Sequence, residues 1–428
     1  MTTPAPAEPT PAPTPPVGGL SWIRQLTRNE RRTFGAAIGG WALDAMDVQI
    51  YSLVIPTLIA VWGITRGQAG IIGTAALLVS AVGGWLAGWL ADRFGRVVVL
   101  RAAILWFAAF TLISGLARNY HELLIARALM GLGFGGEWAA GSVLLGESMR
   151  AAHRGKALGL MQAGWAVGWA AAAVLYAVVF SFLPPATAWR VLFFAGAAPA
   201  VLVFFMRRFI SEPEVYLRAK EAGQSLPDAS ILDIFRPPLL RITVLGGLVG
   251  TGAQGGYNAV STWLPTYLRT ERGLSVLDSA GYLAVLISGS FFGYVAGGYF
   301  SDRIGRRMTF LVFAVCAGVL VMVYTAVPFN NTAMLFLGFP LGFFAAGVFS
   351  GMGAFYTEQF PTRVRGVGQG FAYNVGRAAG AFFPAMVGFL SAKMGLGAAI
   401  GVFAASAYAI MAGAAFLLPE TRGKVLEH

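Results

Sequence analysis

Twelve times along its 428 residues this chain runs apolar for about twenty residues or more, the length of α-helix that crosses a hydrocarbon core. The runs lie near 34–61, 70–91, 98–117, 121–146, 155–183, 189–209, 239–268, 279–301, 308–328, 332–358, 366–391 and 395–418. In lipid the backbone must satisfy its own polar groups, so each run is expected as a helix and the fold as all-α. Composition agrees: only 12% of residues are charged and 57% are hydrophobic, against about 25% charged in a soluble domain. One water-facing core cannot hold such a chain.

The runs divide into two related halves. Gly88-Trp89-Leu90-Ala91-Asp92-Arg93-Phe94-Gly95-Arg96 returns 210 residues later as Gly298-Tyr299-Phe300-Ser301-Asp302-Arg303-Ile304-Gly305-Arg306. Glu147, Arg154 and Gly155 return as Glu358, Arg365 and Gly366 at an offset of 211. Internal repeats of this kind mark two pseudo-symmetric six-helix bundles. The expected organisation is a disordered tail over 1–30, a bundle over 31–209, a central loop over 210–238, a second bundle over 239–418 and a tail over 419–428.

Basic residues orient the array. The side of the termini, the central loop and the two repeated loops holds 23 lysines and arginines, the other side 6, and Arg127 and Arg377 fall within spans. By the positive-inside rule both termini are cytoplasmic, in a multi-pass protein of the cell (inner) membrane. The net charge of +12 then reflects topology, and no basic patch on a soluble domain calls for nucleic acid. Pro-rich residues 4–16 resist packing and lack the pattern of a signal peptide. A single cysteine, Cys316, allows no internal disulfide and no cysteine metal site. Three histidines, His121, His153 and His428, form no metal-like cluster, and no phosphate-binding loop occurs. Neither an enzyme nor a cofactor or metal is expected.

An ionisable group deep in a span costs about 3 kcal/mol on insertion scales and usually faces a cavity. Asp44, Asp47, Arg127, Glu137 and Arg377 are such groups. Asp44 and Asp47, three residues apart, share a helix face. Two carboxyls crowded in a low dielectric do not both ionise easily, which suits a proton site. The alternative, that one of them pairs with an arginine such as Arg127, stays open. Glu137 follows Gly131, Gly133, Gly135 and Gly136, a stretch thin enough for close helix packing, and is a further proton candidate or a structural group. Arg377 lies in the other half, and the eleventh run contains no acid to neutralise it. Its fork suits a carboxylate. Gln162, Gln254, Tyr257, Asn258, Tyr373 and Asn374 can hydrogen-bond the rest of a ligand. Trp41, Trp138, Trp165, Trp169 and Tyr356 are candidate aromatic walls.

The repeated Gly-x-x-x-Asp-Arg-x-Gly-Arg loops, with Arg127-x-x-x-Gly131-x-Gly133 in the fourth run, resemble the major facilitator superfamily of secondary transporters. Trp41 to Asp47, Gly135-Gly136-Glu137-Trp138 and Tyr373-Asn374-Val375-Gly376-Arg377 are similar to its metabolite:proton symporters, which carry organic acids such as aromatic acids, sialic acid and monocarboxylates. The resemblance implies a monomer that moves a small carboxylate with protons by alternating access. It also implies a loop network that latches the halves: Gly88, Asp92, Arg93, Gly95, Arg96, Glu147 and Arg154, with Asp302, Arg303, Gly305, Arg306, Glu358 and Arg365. Gly88 and Gly298 are expected to let helices approach closely and Gly95 and Gly305 to turn tightly. Asp92 and Asp302 can dock on a helix N-terminus or an arginine. Pro419-Glu420-Thr421-Arg422-Gly423 resembles the tail of proton-coupled sugar porters, a rival reading that a buried arginine without an acid suits poorly. A drug exporter is disfavoured because the fifth run lacks a Gly-Pro pair. A membrane receptor that binds without transport is the rival of another class.

Overall fold

A computed structural model describes residues 21–197, 231–327, 330–361 and 364–422, with backbone alone at 21, 92, 139, 142, 143, 147, 151–155, 231, 357, 365 and 366. The described residues contain helices and no strand. In chain order these are α1 (Arg28–Trp62), α2 (Arg66–Phe94), α3 (Arg96–Leu116), α4 (Tyr120–Ser148), α5 (Ala151–Phe182), α6 (Pro185–Gly196), α7 (Leu239–Thr270), α8 (Val276–Ile304), α9 (Arg306–Ala326), α10 (Asn331–Gln359), α11 (Arg365–Gly380), α12 (Phe382–Met394) and α13 (Leu396–Leu417). Among the described residues nine helical stretches are long and apolar enough to cross a membrane. Most of the central loop expected over 210–238, and the end of the sixth run beyond residue 197, lie outside the described residues.

Helix starts follow local capping chemistry. Thr27 and Glu30 form a reciprocal capping box on α1, and Thr65 and Gln68 form one on α2. Asn119, Ser275 and Asn330 cap α4, α8 and α10 through their side chains. The turns between α2 and α3 and between α8 and α9 pass through Gly95 at φ 108° and Gly305 at φ 95°, a region that disfavours any residue with a Cβ.

The two halves repeat in helix length as well as in sequence. α2 and α8 are each 29 residues, α3 and α9 each 21, and α4 and α10 each 29. Arg96 donates to the carbonyl of Ala91 at 3.1 Å, and Arg306 to that of Ser301 at 2.9 Å. A close helix contact is also duplicated. A Cβ on Gly131 of α4 would strike the backbone of Ala76 in α2, and one on Gly342 of α10 would strike Leu286 in α8. Gly88 and Gly298 do not serve in this way, contrary to expectation: a Cβ on either would meet nothing within 4 Å. The tight approach sits nearer mid-helix, at Gly83 and Gly131 and their counterparts Gly293 and Gly342.

Two boundaries differ from the sequence reading for identifiable reasons. Residues 21–30, expected within a disordered tail, are ordered: Trp22 packs edge-on to Phe34 at 5.6 Å, and buried Glu30 binds Arg150 at 2.8 Å. The hydrogen bond that Arg150 donates to this carboxylate holds its guanidinium pKa above the ordinary value. The eleventh run is two helices, α11 and α12, meeting at Ala381. Pro384 can give no amide to the Gly380 carbonyl four residues back, so the ladder breaks there. Thr74 of α2 donates to the Ala381 carbonyl at the break, 2.6 Å away.

Contacts between the halves run α1 to α7, α2 to α11 and α12, and α5 to α8 and α10. Away from the repeated loops the junction is dense. Gly70 sits on the backbone of Pro384 and Ala385, Arg66 faces Glu271 at 3.6 Å, and Arg269 donates to the Tyr176 hydroxyl at 2.6 Å.

Candidate functional site

A central cavity opens where α1, α2, α4 and α5 of the first half meet α7, α8, α10 and α11 of the second. It leaves about 60 Å³ for the centres of water-sized molecules. The first half lines it with Trp41, Val48, Tyr51, Ser52, Gly73, Ala76, Leu77, Arg127, Met130, Phe134, Gln162 and Trp165. The second contributes Gln254, Tyr257, Asn258, Ser261, Thr262, Tyr294, Phe349, Tyr373 and Arg377. The Trp165 indole donates to the Tyr257 hydroxyl at 2.7 Å and ties α5 to α7 across the cavity.

The two arginines in this wall differ in what surrounds them. Arg127 donates to Asp47 at 2.7 Å, and the pair is almost wholly buried, with 2% and 0% of the side chains exposed. The guanidinium also lies over the rings of Tyr51 and Phe193, at 5.5 and 5.4 Å. Among the described residues Arg377 has no such acid bonded to it. Its guanidinium lies 5.2 Å from the Phe134 ring centre, 5.5 Å from Trp138 and 5.1 Å from Tyr373, within cation–π range of all three. One long hydrogen bond reaches the Tyr373 hydroxyl at 3.4 Å, and Nη1 meets no protein acceptor. Trp138 and Tyr373 stack face to face across the halves, centres 4.1 Å apart and planes within 6°.

The three buried acids separate into two sets. Asp47 is bonded to Arg127, whereas neither oxygen of Asp44 meets a protein donor. Asp44 instead faces the carboxyl of Glu137 within hydrogen-bonding reach, with Asp47 and Arg377 close enough to act on it electrostatically. Two carboxyls hydrogen-bond each other only when a proton lies between them. Neither Asp44 nor Glu137 lines the central cavity; Glu137 borders a small pocket of about 10 Å³ inside the first half, beside Trp41, Trp138 and Met161.

Of the polar residues expected around a ligand, Gln162, Gln254, Tyr257, Asn258, Tyr373 and Arg377 are gathered in the cavity. Asn374 is not: it donates to the Gly370 carbonyl at 2.9 Å, and its Oδ1 packs against Gly84 of α2. Trp138 lies behind Tyr373 and touches Arg377 rather than the cavity. Among the expected aromatic walls, Trp41 and Trp165 line it, while Trp169 packs beside it on Tyr257 and Tyr356 donates to the Gly246 carbonyl. Side chains turn every 100° along a helix, so neighbours in sequence leave the cavity face quickly. Phe134, Tyr294 and Phe349 complete the wall and carry no polar signal that would single them out.

The repeated loop of the second half forms a connected charge cluster. Arg306 binds Asp302 at 2.8 Å and Glu358 through Nε and Nη2 at 3.1 and 3.0 Å. The N-terminus of α9 is capped by Glu420, whose two oxygens accept from the amides of Arg306 and Arg307 at 2.9 and 3.0 Å. Thr421 adds a hydrogen bond to Glu358 at 2.6 Å. Asp302 therefore meets an arginine, and the helix end goes to the tail. In the first half Arg93 lies over the Trp89 ring at 5.8 Å. The side chains of Asp92, Glu147, Arg154 and Arg365 lie outside the described residues.

The model of the Major Facilitator Superfamily matches residues 37–384. The chain is 42% identical to the probable 4-methylmuconolactone transporter of Cupriavidus pinatubonensis, across 96% of this chain and 95% of that one. It is 31% identical to the cis,cis-muconate transport protein of Acinetobacter baylyi, across 83% and 86%. A bacterial homologue of the human lysosomal transporter Spinster, solved inward-facing and unoccupied, shares the fold at a TM-score of 0.70 and 17% identity, over 91% of this chain and 96% of that one.

Proposed function

The chain belongs to the major facilitator superfamily and is a membrane transporter rather than an enzyme, and from that premise we propose that it takes up an organic acid anion together with protons. The observation that carries the reading is Arg377, a permanent cation that lines the central cavity, is 2% exposed, and is enclosed by three aromatic rings with Nη1 unpaired by protein. A buried cation without an acid is costly, and a substrate carboxylate supplies the missing charge. The relatives named for 4-methylmuconolactone and cis,cis-muconate favour small unsaturated or cyclic carboxylates. Planar walls such as Trp41, Phe134 and Trp165 suit such molecules.

In this mechanism Asp44 and Glu137 hold the proton, and Asp47 serves Arg127. Protonation from outside removes negative charge near Arg377 and frees it to clamp the carboxylate. The halves rock about the cavity, the Trp138–Tyr373 stack parts, and proton loss to the cytoplasm returns an anionic Asp44 that competes with the substrate for Arg377. The chain works as a monomer in the cell (inner) membrane with both termini cytoplasmic, in line with the excess of basic residues on that side. Glu420 and Thr421 cap α9 and bind Glu358, a role independent of the substrate, and it is the buried Arg377 that suits a neutral sugar poorly.

The test is uptake into proteoliposomes containing a trapped pH dye. Benzoate, nicotinate, a muconolactone, lactate, sialic acid and glucose are presented singly. Internal acidification by an acid, abolished by Arg377→Ala, is the expected result. Acidification with glucose alone, or normal affinity for acids in the variant, would refute the proposal.

A further inference from the structure

We infer that the substrate is a monoanion bearing, besides its carboxylate, one uncharged hydrogen-bond acceptor that Asn258 recognises. The inference rests on the carboxylate reading above and narrows it. Asn258 lines the central cavity from α7, is 8% exposed, and its Nδ2 meets no protein acceptor. Arg377 brings a second, Nη1, from α11 of the same half, while Trp41 Nε1 and Arg127 Nε are the buried unpaired donors on lining residues of the first half. Buried donors are rarely left without a partner, and each one imposes a penalty on a ligand that fails to meet it. A molecule that lies against α7 and α11 in this cavity must therefore offer one acceptor to Asn258 and one to Arg377.

Charge then distinguishes the two acceptors. Two arginines line the cavity among the described residues, and Arg127 is already bonded to Asp47. Arg377 alone remains for an anionic group. The lining residues of α7, α8 and α10 are neutral: Gln254, Tyr257, Ser261 and Thr262 lie on the same helix as Asn258, Tyr294 on α8 and Phe349 on α10. A second carboxylate placed there would be buried without a cation, at a heavy desolvation cost. A lactone or ketone carbonyl, or a pyridine nitrogen, accepts the amide N–H and brings no charge.

The closing experiment measures binding of matched acids to the purified full-length protein by calorimetry. Muconolactone is compared with 2-cyclopentene-1-acetate, which lacks the lactone oxygens, nicotinate with benzoate, and cis,cis-muconate serves as the dianion. Wild type is expected to prefer the acceptor-bearing acid by about tenfold or more in at least one pair. Asn258→Leu should erase that preference by weakening the acceptor-bearing acid alone, with benzoate or 2-cyclopentene-1-acetate bound within about twofold of wild type. That retained binding also reports a folded variant. Equal affinities within both pairs, equal weakening of both members in Asn258→Leu, or tightest binding of the dianion would overturn this inference while leaving carboxylate recognition intact. Binding of no acid at all would overturn the carboxylate reading, and this inference with it.

Discussion

Replacing Asp47 by Val strips the buried Arg127 guanidinium of its counter-charge, because the 2.7 Å bond to Asp47 is its only carboxylate contact among the described residues. Breaking a buried pair from one side costs about 3–5 kcal/mol, since the remaining charge stays in a low dielectric. Arginine cannot escape by losing its proton. The rings of Tyr51 and Phe193 beside it return part of the loss, about 1 kcal/mol. Unfolding entropy of about 2.1 cal/mol/K per residue gives about 0.9 kcal/mol/K for 428 residues. The melting midpoint of the detergent-solubilised protein should then fall by about 2–4 °C. Arg127→Met should cost less, since Asp47 can neutralise itself with a proton, and the double variant D47V/R127M should recover most of the midpoint. Additive losses in the double variant would show that the pair is not a unit. An unshifted midpoint in Asp47→Val with proton-driven accumulation abolished would make Asp47 the proton carrier and reverse the division of labour proposed here.

Asp44→Asn should leave substrate exchange between equilibrated vesicles near wild type while abolishing accumulation driven by a pH gradient; unchanged accumulation would refute its role. Gly135→Ala would push a Cβ into the Ser80 backbone, whereas Gly88→Ala meets open space, so thermal-shift and expression assays should show severe loss for the first and a change within about 0.5 kcal/mol for the second. Glu420→Gln removes the anionic cap of α9 and should cost about 1 kcal/mol, read as a midpoint shift of about 1 °C with substrate affinity unchanged; a loss of affinity would place the tail in ligand recognition.

Much of this fold is legible in the chain because lipid leaves few alternatives to a helix. The offset between Asp92 and Asp302 recurs in the helix bounds, since α8 and α9 begin and end 210 residues after α2 and α3. Where the reading slipped, local signals were present but outweighed by composition. Thr27 and Glu30 carry the spacing of a capping box, yet they follow a proline-rich stretch whose composition opposes packing. Pro384 announces the break at Ala381, but the apolar run conceals it. Gly88 and Gly298 face open space, and here the reason is different: repetition shows that a position is shared by the halves and says nothing of which way it faces.

The site was legible by residue type and opaque in its pairing. Asp44 and Asp47 share a face of α1, but a single helix, α4, meets both, placing Arg127 against Asp47 and Glu137 against Asp44. That register runs antiparallel, and it depends on which helix packs beside α1, a tertiary fact. Aromatic rings, rather than an acid, surround Arg377. Phe134 and Trp138 are one turn apart on α4, and Tyr373 and Arg377 one turn apart on α11, so two i, i+4 pairs close on one another between the halves. Ring faces attract a cation without cancelling its charge. Arg377 is thereby held in place and still available to an anion, whereas Arg127, already matched by Asp47, is held and spent; the difference between the two arginines follows from whether a carboxylate or an aromatic face lies beside each.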